Sequence, residues 1–205
     1  MNKVAIVDHG MCNLDSIARA IEKCGGEAHI TDRPKDLEVA NRIVLPGVGA
    51  FPDAMENLET AGLAEAIKEQ VIEQRIPLLA VCLGMQLLME SSEEVRETKG
   101  LGLVQGTVKR LEPNGSQDRI PHMGWNELRL QKEEPLFAGV PEGADFYFVH
   151  SFVVTGVPDE EVVATTPYCG GFVSALAKDN IRGVQFHPEK SQRVGFKLLS
   201  NFLSI

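Results

Sequence analysis

The stretch Pro77-Leu78-Leu79-Ala80-Val81-Cys82-Leu83-Gly84-Met85-Gln86 decides the fold. A continuous apolar run of this length, opened by proline, reads as a strand whose two faces are both covered, as in a parallel sheet under helices. It runs straight into Cys82, and Gly84 follows before a helical stretch that extends to about Glu90. Working outward, the flanking sequence repeats the same unit. Lys3 to Val7 is a short apolar strand ended by Asp8. Asn13 is placed to cap a helix whose apolar residues Leu14, Ile17, Ala18 and Ile21 share one face, with Gly25-Gly26 as its stop. Glu27 to Thr31 and Arg42 to Leu45 read as strands, and a helical stretch from about Pro52 to Gln74 breaks near Gly62. This rhythm predicts an α/β fold with a doubly wound, mostly parallel sheet.

The second half is β-rich. Strand-like segments run from Gly106 to Leu111, Glu127 to Leu130, Phe146 to Val154 and Glu161 to Thr166. Phe172 to Lys178 and Ile181 to Phe186 flank Asp179-Asn180 as a hairpin. Ser191 is placed to cap a last helix bearing Val194, Leu198 and Phe202 on one face. No linker or repeat divides the 205 residues, so residues 1–205 are expected to form one domain.

Composition narrows the function. Lys and Arg number 20 against 29 Asp and Glu, a formal charge of −9, which repels phosphate backbones and argues against nucleic acid as a partner. No apolar run approaches the roughly 20 residues of a membrane span. The N-terminus does not read as a signal peptide, because Asp8 interrupts the apolar Val4 to Val7. A cytoplasmic protein is expected. Cysteines 12, 24, 82 and 169 form no Cys-x-x-Cys pair, and the histidines show no His-x-x-x-His spacing. Disulfides, metal and cofactor are therefore not expected.

Cys82 occupies the strand–turn–helix setting of a nucleophile elbow, at the carboxyl end of a strand where open α/β sheets bind ligands. The beginning of a helix there favours thiolate. A small buried hydrophobe at a strand end fits the same residues, and the stretch alone does not choose. His187 has the best setting for a base: it ends a strand in Gln185-Phe186-His187-Pro188-Glu189. Pro188 pushes His187 toward an extended backbone, from which Glu189 can turn back to the imidazole. Thiol, histidine and orienting acid are what nucleophilic acyl transfer needs. Pro46-Gly47-Val48-Gly49 follows a neighbouring strand and can aim the Val48 N–H at a developing oxyanion, with the Leu83 N–H as second donor. It is not a phosphate loop, since no Gly-Lys-Ser/Thr follows. Trp125, in Pro121-His122-Met123-Gly124-Trp125-Asn126, reads as a core or interface aromatic beside a turn.

Cys82-Leu83-Gly84-Met85-Gln86, His187-Pro188-Glu189 and Pro46-Gly47-Val48-Gly49 resemble the triad and oxyanion strand of class I glutamine amidotransferases, which have a flavodoxin-like sheet. Pro121 to Asn126, Tyr147-Phe148-Val149-His150-Ser151-Phe152 and Asp8 to Leu14 resemble the glutaminase subunits of imidazole glycerol phosphate synthase. The resemblance implies Cys82, His187 and Glu189 as triad, and Gly47, Gly49, Gln86 and Ser151 as residues that hold glutamine. It implies a heterodimer with a cyclase subunit that uses the ammonia to make imidazole glycerol phosphate and aminoimidazole-carboxamide ribonucleotide in histidine biosynthesis. His9, Cys12 and Phe152 stand where that family usually has tyrosine, glycine and tyrosine. The alternatives are another class I amidotransferase, a γ-glutamyl cysteine hydrolase on the same scaffold, or a non-catalytic flavodoxin-like binding module.

Overall fold

The computed structural model describes residues 2–116 and 118–205. Its first half follows the alternation of the sequence: β1 (Lys3–Val7), α1 (Leu14–Lys23), β2 (Glu27–Thr31), a short α2 (Pro34–Leu37), β3 (Arg42–Leu45), α3 (Phe51–Thr60), α4 (Leu63–Lys68), β4 (Leu78–Val81) and α5 (Leu83–Leu87). Gly62, at φ 69°, breaks the long helical stretch where expected, and a π-helical turn, Glu69–Glu73, ends it. In each parallel strand alternate side chains feed opposite faces of the sheet. Ala5, Val7, Ile43, Leu45, Leu78 and Ala80 pack under α3, α4 and α5. Val4, Ile6, Val44, Leu79 and Val81 pack under α1 and the last helix. That division explains why these strands read as unbroken apolar runs.

The rest comprises β5 (Ser91–Ser92), β6 (Thr98–Lys99), β7 (Thr107–Arg110), β8 (His122–Glu127), β9 (Arg129–Leu130), β10 (Asp145–His150), β11 (Phe152–Thr155), β12 (Val162–Thr166), β13 (Phe172–Lys178), β14 (Ile181–Val184) and α6 (Gln192–Phe202). The main sheet has eight strands in the order β2-β1-β3-β4-β14-β13-β12-β9. β2, β1, β3, β4 and β14 are parallel, and β13, β12 and β9 continue antiparallel. The β-rich half thus extends the expected α/β sheet with β14, β13, β12 and β9, and its remaining strands form two small sheets, β10-β8 and β11-β7-β5-β6. The expected β13–β14 hairpin is present, with Asp179 at φ 49° in its turn.

Several local expectations are corrected. Phe146 to Val154 is not one strand: it breaks at Ser151, β10 pairing with β8 and β11 with β7 in separate small sheets. Trp125, expected beside a turn, lies inside a strand, β8, aligned with β10 from Asp145↔Glu127 to His150↔His122. Neither Asn13 nor Ser191 makes a side-chain cap. Ser191 Oγ instead donates to the His187 carbonyl at 2.6 Å and accepts the Tyr147 N–H at 3.0 Å, tying the chain after β14 to β10. Among the described residues no helix is long and apolar enough to cross a membrane.

Candidate active site

The parallel strands β3, β4 and β14 end side by side, and each carboxyl end carries part of the site. Cys82 follows β4 at φ 55°, ψ −111°, a conformation costly for a residue with a Cβ and characteristic of a forced turn. Its N–H bonds the Val184 carbonyl of β14 at 2.8 Å, while its own carbonyl accepts from Met85 and Gln86 to start α5. Gly84 is required there, since a Cβ would stand 1.8 Å from the Leu45 carbonyl oxygen of β3.

Beyond β14, His187 Nδ1 meets Glu189 Oε1 at 2.8 Å, and both side chains are buried. Burial alone would lower the His187 pKa. The Cys82 sulfur beside it and the Glu189 carboxylate override that and push it up to about 10. Its Nε2 is buried without a hydrogen bond of regular geometry, and Cys82 is the neighbour acting on it. The imidazole that was expected near the thiol is thus brought to it across 105 positions of sequence by the β4–β14 pairing.

Cys82 opens into a cavity of about 380 Å³ lined by Val48, Gly49, Leu83, Gln86, Glu94, Val149, His150, Ser151 and Phe152. Gly49, Gln86 and Ser151 therefore face one space, as expected of residues holding one small molecule. Gly47 does not line it; it borders a small hollow with Val48, His187 and Glu189. The two expected oxyanion donors reach the cavity wall but are otherwise engaged. The Val48 N–H bonds the Met11 carbonyl at 2.8 Å, and the Leu83 N–H faces the Gly47 carbonyl at 3.4 Å. The Gly47–Val48 peptide thus presents its oxygen, not its N–H, toward Leu83. His9 Nε2 lies 2.9 Å from the Pro46 carbonyl and the Cys12 thiol 3.6 Å from it. Two of the residues that depart from the family pattern accordingly brace the same loop.

Glu94 was not singled out in the sequence. It lies between the short strands β5 and β6, accepts the Phe51 N–H at 2.9 Å at the beginning of α3, and turns a carboxylate to the cavity. Burial pushes its pKa up. No local signal marks it, because the partner of its carboxylate comes from α3, 43 residues away.

His122 and His150 are buried beside the cavity and joined, Nδ1 to Nε2, at 3.0 Å. Burial drops their pKa values from 6.5 to about 4 and about 3. The unfolded chain then binds more protons between those values and pH 6.5. Stability held above pH 6.5 is lost as pH falls through that window, by about 2–4 kcal/mol at pH 5 for the pair. His187 has the opposite sign: its contribution is complete below pH 6.5 and is lost as pH rises through about 10. Urea midpoints at pH 7 and pH 5 check this. A clear fall at pH 5, reduced in His150→Asn, is expected; equal midpoints contradict it.

A strained cysteine, a buried histidine–carboxylate pair and a cavity opening at the carboxyl edge of a parallel sheet are the parts of a thiol-dependent acyl-transfer site. Comparison with known proteins gives the same class. The family profile described as glutamine amidotransferase class-I matches residues 5–205. The chain belongs to the class I glutamine amidotransferase family. It is 48% identical over 202 residues to the imidazole glycerol phosphate synthase subunit HisH 1 of Campylobacter jejuni, covering 98% of this chain and 100% of that one. It is also 48% identical over 202 residues to the HisH subunit of Moorella thermoacetica, covering 98% and 94%. The structure of PurLQS from Thermotoga maritima shares the fold, with a TM-score of 0.74, 20% identity and 98% and 97% coverage.

Proposed function

We propose that this glutamine amidotransferase is the cytoplasmic glutaminase subunit of imidazole glycerol phosphate synthase. It hydrolyses glutamine to glutamate and ammonia and passes the ammonia to a cyclase subunit in histidine biosynthesis. The observation that carries the chemistry is Cys82, strained and beside the His187–Glu189 pair, on the wall of a cavity of amino-acid size.

Glutamine enters with its side-chain amide at Cys82. His187, its pKa raised to about 10, already holds the proton given up by the thiol, and the sulfur attacks the amide carbon. A C–S bond forms while the carbonyl π pair moves to oxygen. Collapse of the tetrahedral intermediate breaks the C–N bond, His187 protonates the departing nitrogen, and ammonia leaves. Water, deprotonated by His187, then hydrolyses the γ-glutamyl thioester. Glu189 orients His187 through Nδ1 and stabilises its charged form. Gly49, Gln86 and Ser151 hold the amino-acid end. Glu94, a carboxylate withdrawn from water, suits the α-ammonium group, since a buried charge needs an opposite one.

The cyclase has a fitting surface. Met123 and Trp125 on β8 are 64% and 48% exposed, and Trp125 packs edge-on to Tyr147 of β10. Tyr147 accepts the His187 N–H at 2.9 Å, so this apolar ribbon adjoins the triad. Exposed aromatics of this kind are typical anchors of an interface. A subunit docked there is positioned to receive ammonia.

At rest the Gly47 carbonyl occupies the side where an oxyanion donor is required. Losing one such donor costs about 10²–10³ in rate. A partner that binds the rotated Gly47–Val48 peptide more tightly shifts the balance toward competence. Glutamate release should therefore be slow for the isolated chain and rise by about 10²–10³ with the cyclase subunit and its nucleotide ligand. Equal kcat at saturating glutamine would overturn this reading of the partner's role.

A further inference from the structure

Gln185 is fully buried, one position past β14, and the mechanism above leaves it unused. Its side-chain Nε2 lies 3.7 Å from the Cys82 sulfur. The direction of that amide is fixed by its neighbours. Gln86 Nε2 donates to the Phe152 carbonyl at 2.9 Å and to Gln185 Oε1 at 3.1 Å. The Gln185 oxygen is thereby the acceptor, and its N–H₂ is the end turned to sulfur. The same polarity runs on behind. His150 Nδ1 donates to the Phe152 carbonyl at 3.0 Å, which leaves its Nε2 to accept from His122 Nδ1 at 3.0 Å. His122 Nε2 then accepts from Asn126 Nδ2 at 3.2 Å. A network satisfied in one arrangement of hydrogens resists reorientation of any member.

We propose that Gln185 is a further catalytic residue, whose side-chain N–H stabilises the thiolate of Cys82. When the S–H bond breaks, its proton forms an N–H bond at His187 Nε2 and the electron pair stays on sulfur. The thiol can point its hydrogen at the Val149 carbonyl, 3.9 Å away. The thiolate has no hydrogen to give, and that carbonyl then repels it. The Gln185 N–H becomes stronger as charge appears, because a hydrogen bond to an ionised acceptor gains most from the charge. The titratable groups around the sulfur are His187 with Glu189 behind it, His150 from β10, and Glu94 across the cavity. Gln185 is the uncharged side chain among them that donates to sulfur, so it favours thiolate without adding a group that titrates.

The inference rests on Cys82 being the nucleophile. It is tested with Gln185→Met, which removes both polar ends, and Gln185→Glu, which keeps an oxygen for Gln86 but loses the N–H₂. The rate of Cys82 alkylation by iodoacetamide, read by peptide mass spectrometry, is followed against pH, alongside kcat and KM with the cyclase bound. A hydrogen bond to a charged group is worth about 10–100-fold. The alkylation midpoint should therefore rise by about one to two pH units and kcat fall about 10–100-fold. KM for glutamine should change less than about threefold, since the interaction is made to the reacting sulfur. An unchanged alkylation profile in both variants, with or without loss of kcat, overturns the proposal and leaves Gln185 a spacer. Glutamine hydrolysis surviving in Cys82→Ala would instead overturn the nucleophile assignment beneath it.

Discussion

Cys82→Ala should abolish glutamine hydrolysis while the chain folds and binds the cyclase as before. Removal of a catalytic nucleophile costs about 10⁴–10⁶ in kcat, because the binding and electrostatic parts of the site remain. The fold should tolerate the change. Alanine at φ 55° carries the same Cβ as cysteine, so the elbow is no more strained than before. The side chain lost is small, and its backbone N–H still bonds Val184. Ammonium salt should still support the synthase reaction in the complex, since that chemistry belongs to the cyclase. Glutamate release by this variant at a rate near the wild type would show that another group attacks the amide.

Glu189→Gln should lower kcat far more than it raises KM, by about 10²–10⁴. The carboxylate is buried with His187, and together with the Cys82 sulfur it holds the His187 pKa up against burial. A neutral amide removes the charge that stabilises the imidazolium, and its N–H₂ can present a donor to Nδ1 and select the wrong tautomer. The pH at which the acidic limb of kcat appears should accordingly move down. Glutamine binding should persist, because Glu189 does not line the cavity that holds it. The deficit should stay below that of Cys82→Ala. A wild-type kcat would mean that His187 is oriented by something other than Glu189.

The parallel half of the molecule was legible because β1, β3 and β4 are buried on both faces, under α3, α4 and α5 on one side and α1 and α6 on the other. Leu78 to Val81 and Arg42 to Leu45 could be placed from their own residues. The β-rich half was harder, because its breaks depend on which sheet a segment joins. Phe146 to Val154 is mostly apolar, yet it divides at Ser151 between partners β8 and β7. The β8 strand carries a glycine and an exposed tryptophan, which locally resemble a turn; its pairing with β10 makes it a strand. Ser191 resembled a cap, but its hydroxyl is taken by His187 and Tyr147. The triad residues were legible for a different reason. The elbow is a local conformation, and Glu189 reaches His187 across two positions. Glu94, Gln185 and the bracing of Pro46 by His9 and Cys12 are contacts between distant segments, 103 residues apart for Gln185 and Cys82. No spacing rule reports such contacts.

The most direct test of the glutaminase assignment is to trap the nucleophile. The complex with the cyclase is treated with a glutamine-analogue electrophile, and the modified peptide is located by mass spectrometry, with and without excess glutamine. The account predicts one label per chain, on Cys82, blocked by glutamine and formed more slowly in the isolated chain. Cys12, whose thiol pKa burial raises to about 11 and which is engaged with the Val7 and Pro46 carbonyls, should stay unmodified. Label on Cys12, Cys24 or Cys169 instead, or label on Cys82 that glutamine does not block, would contradict a glutamine site built on Cys82.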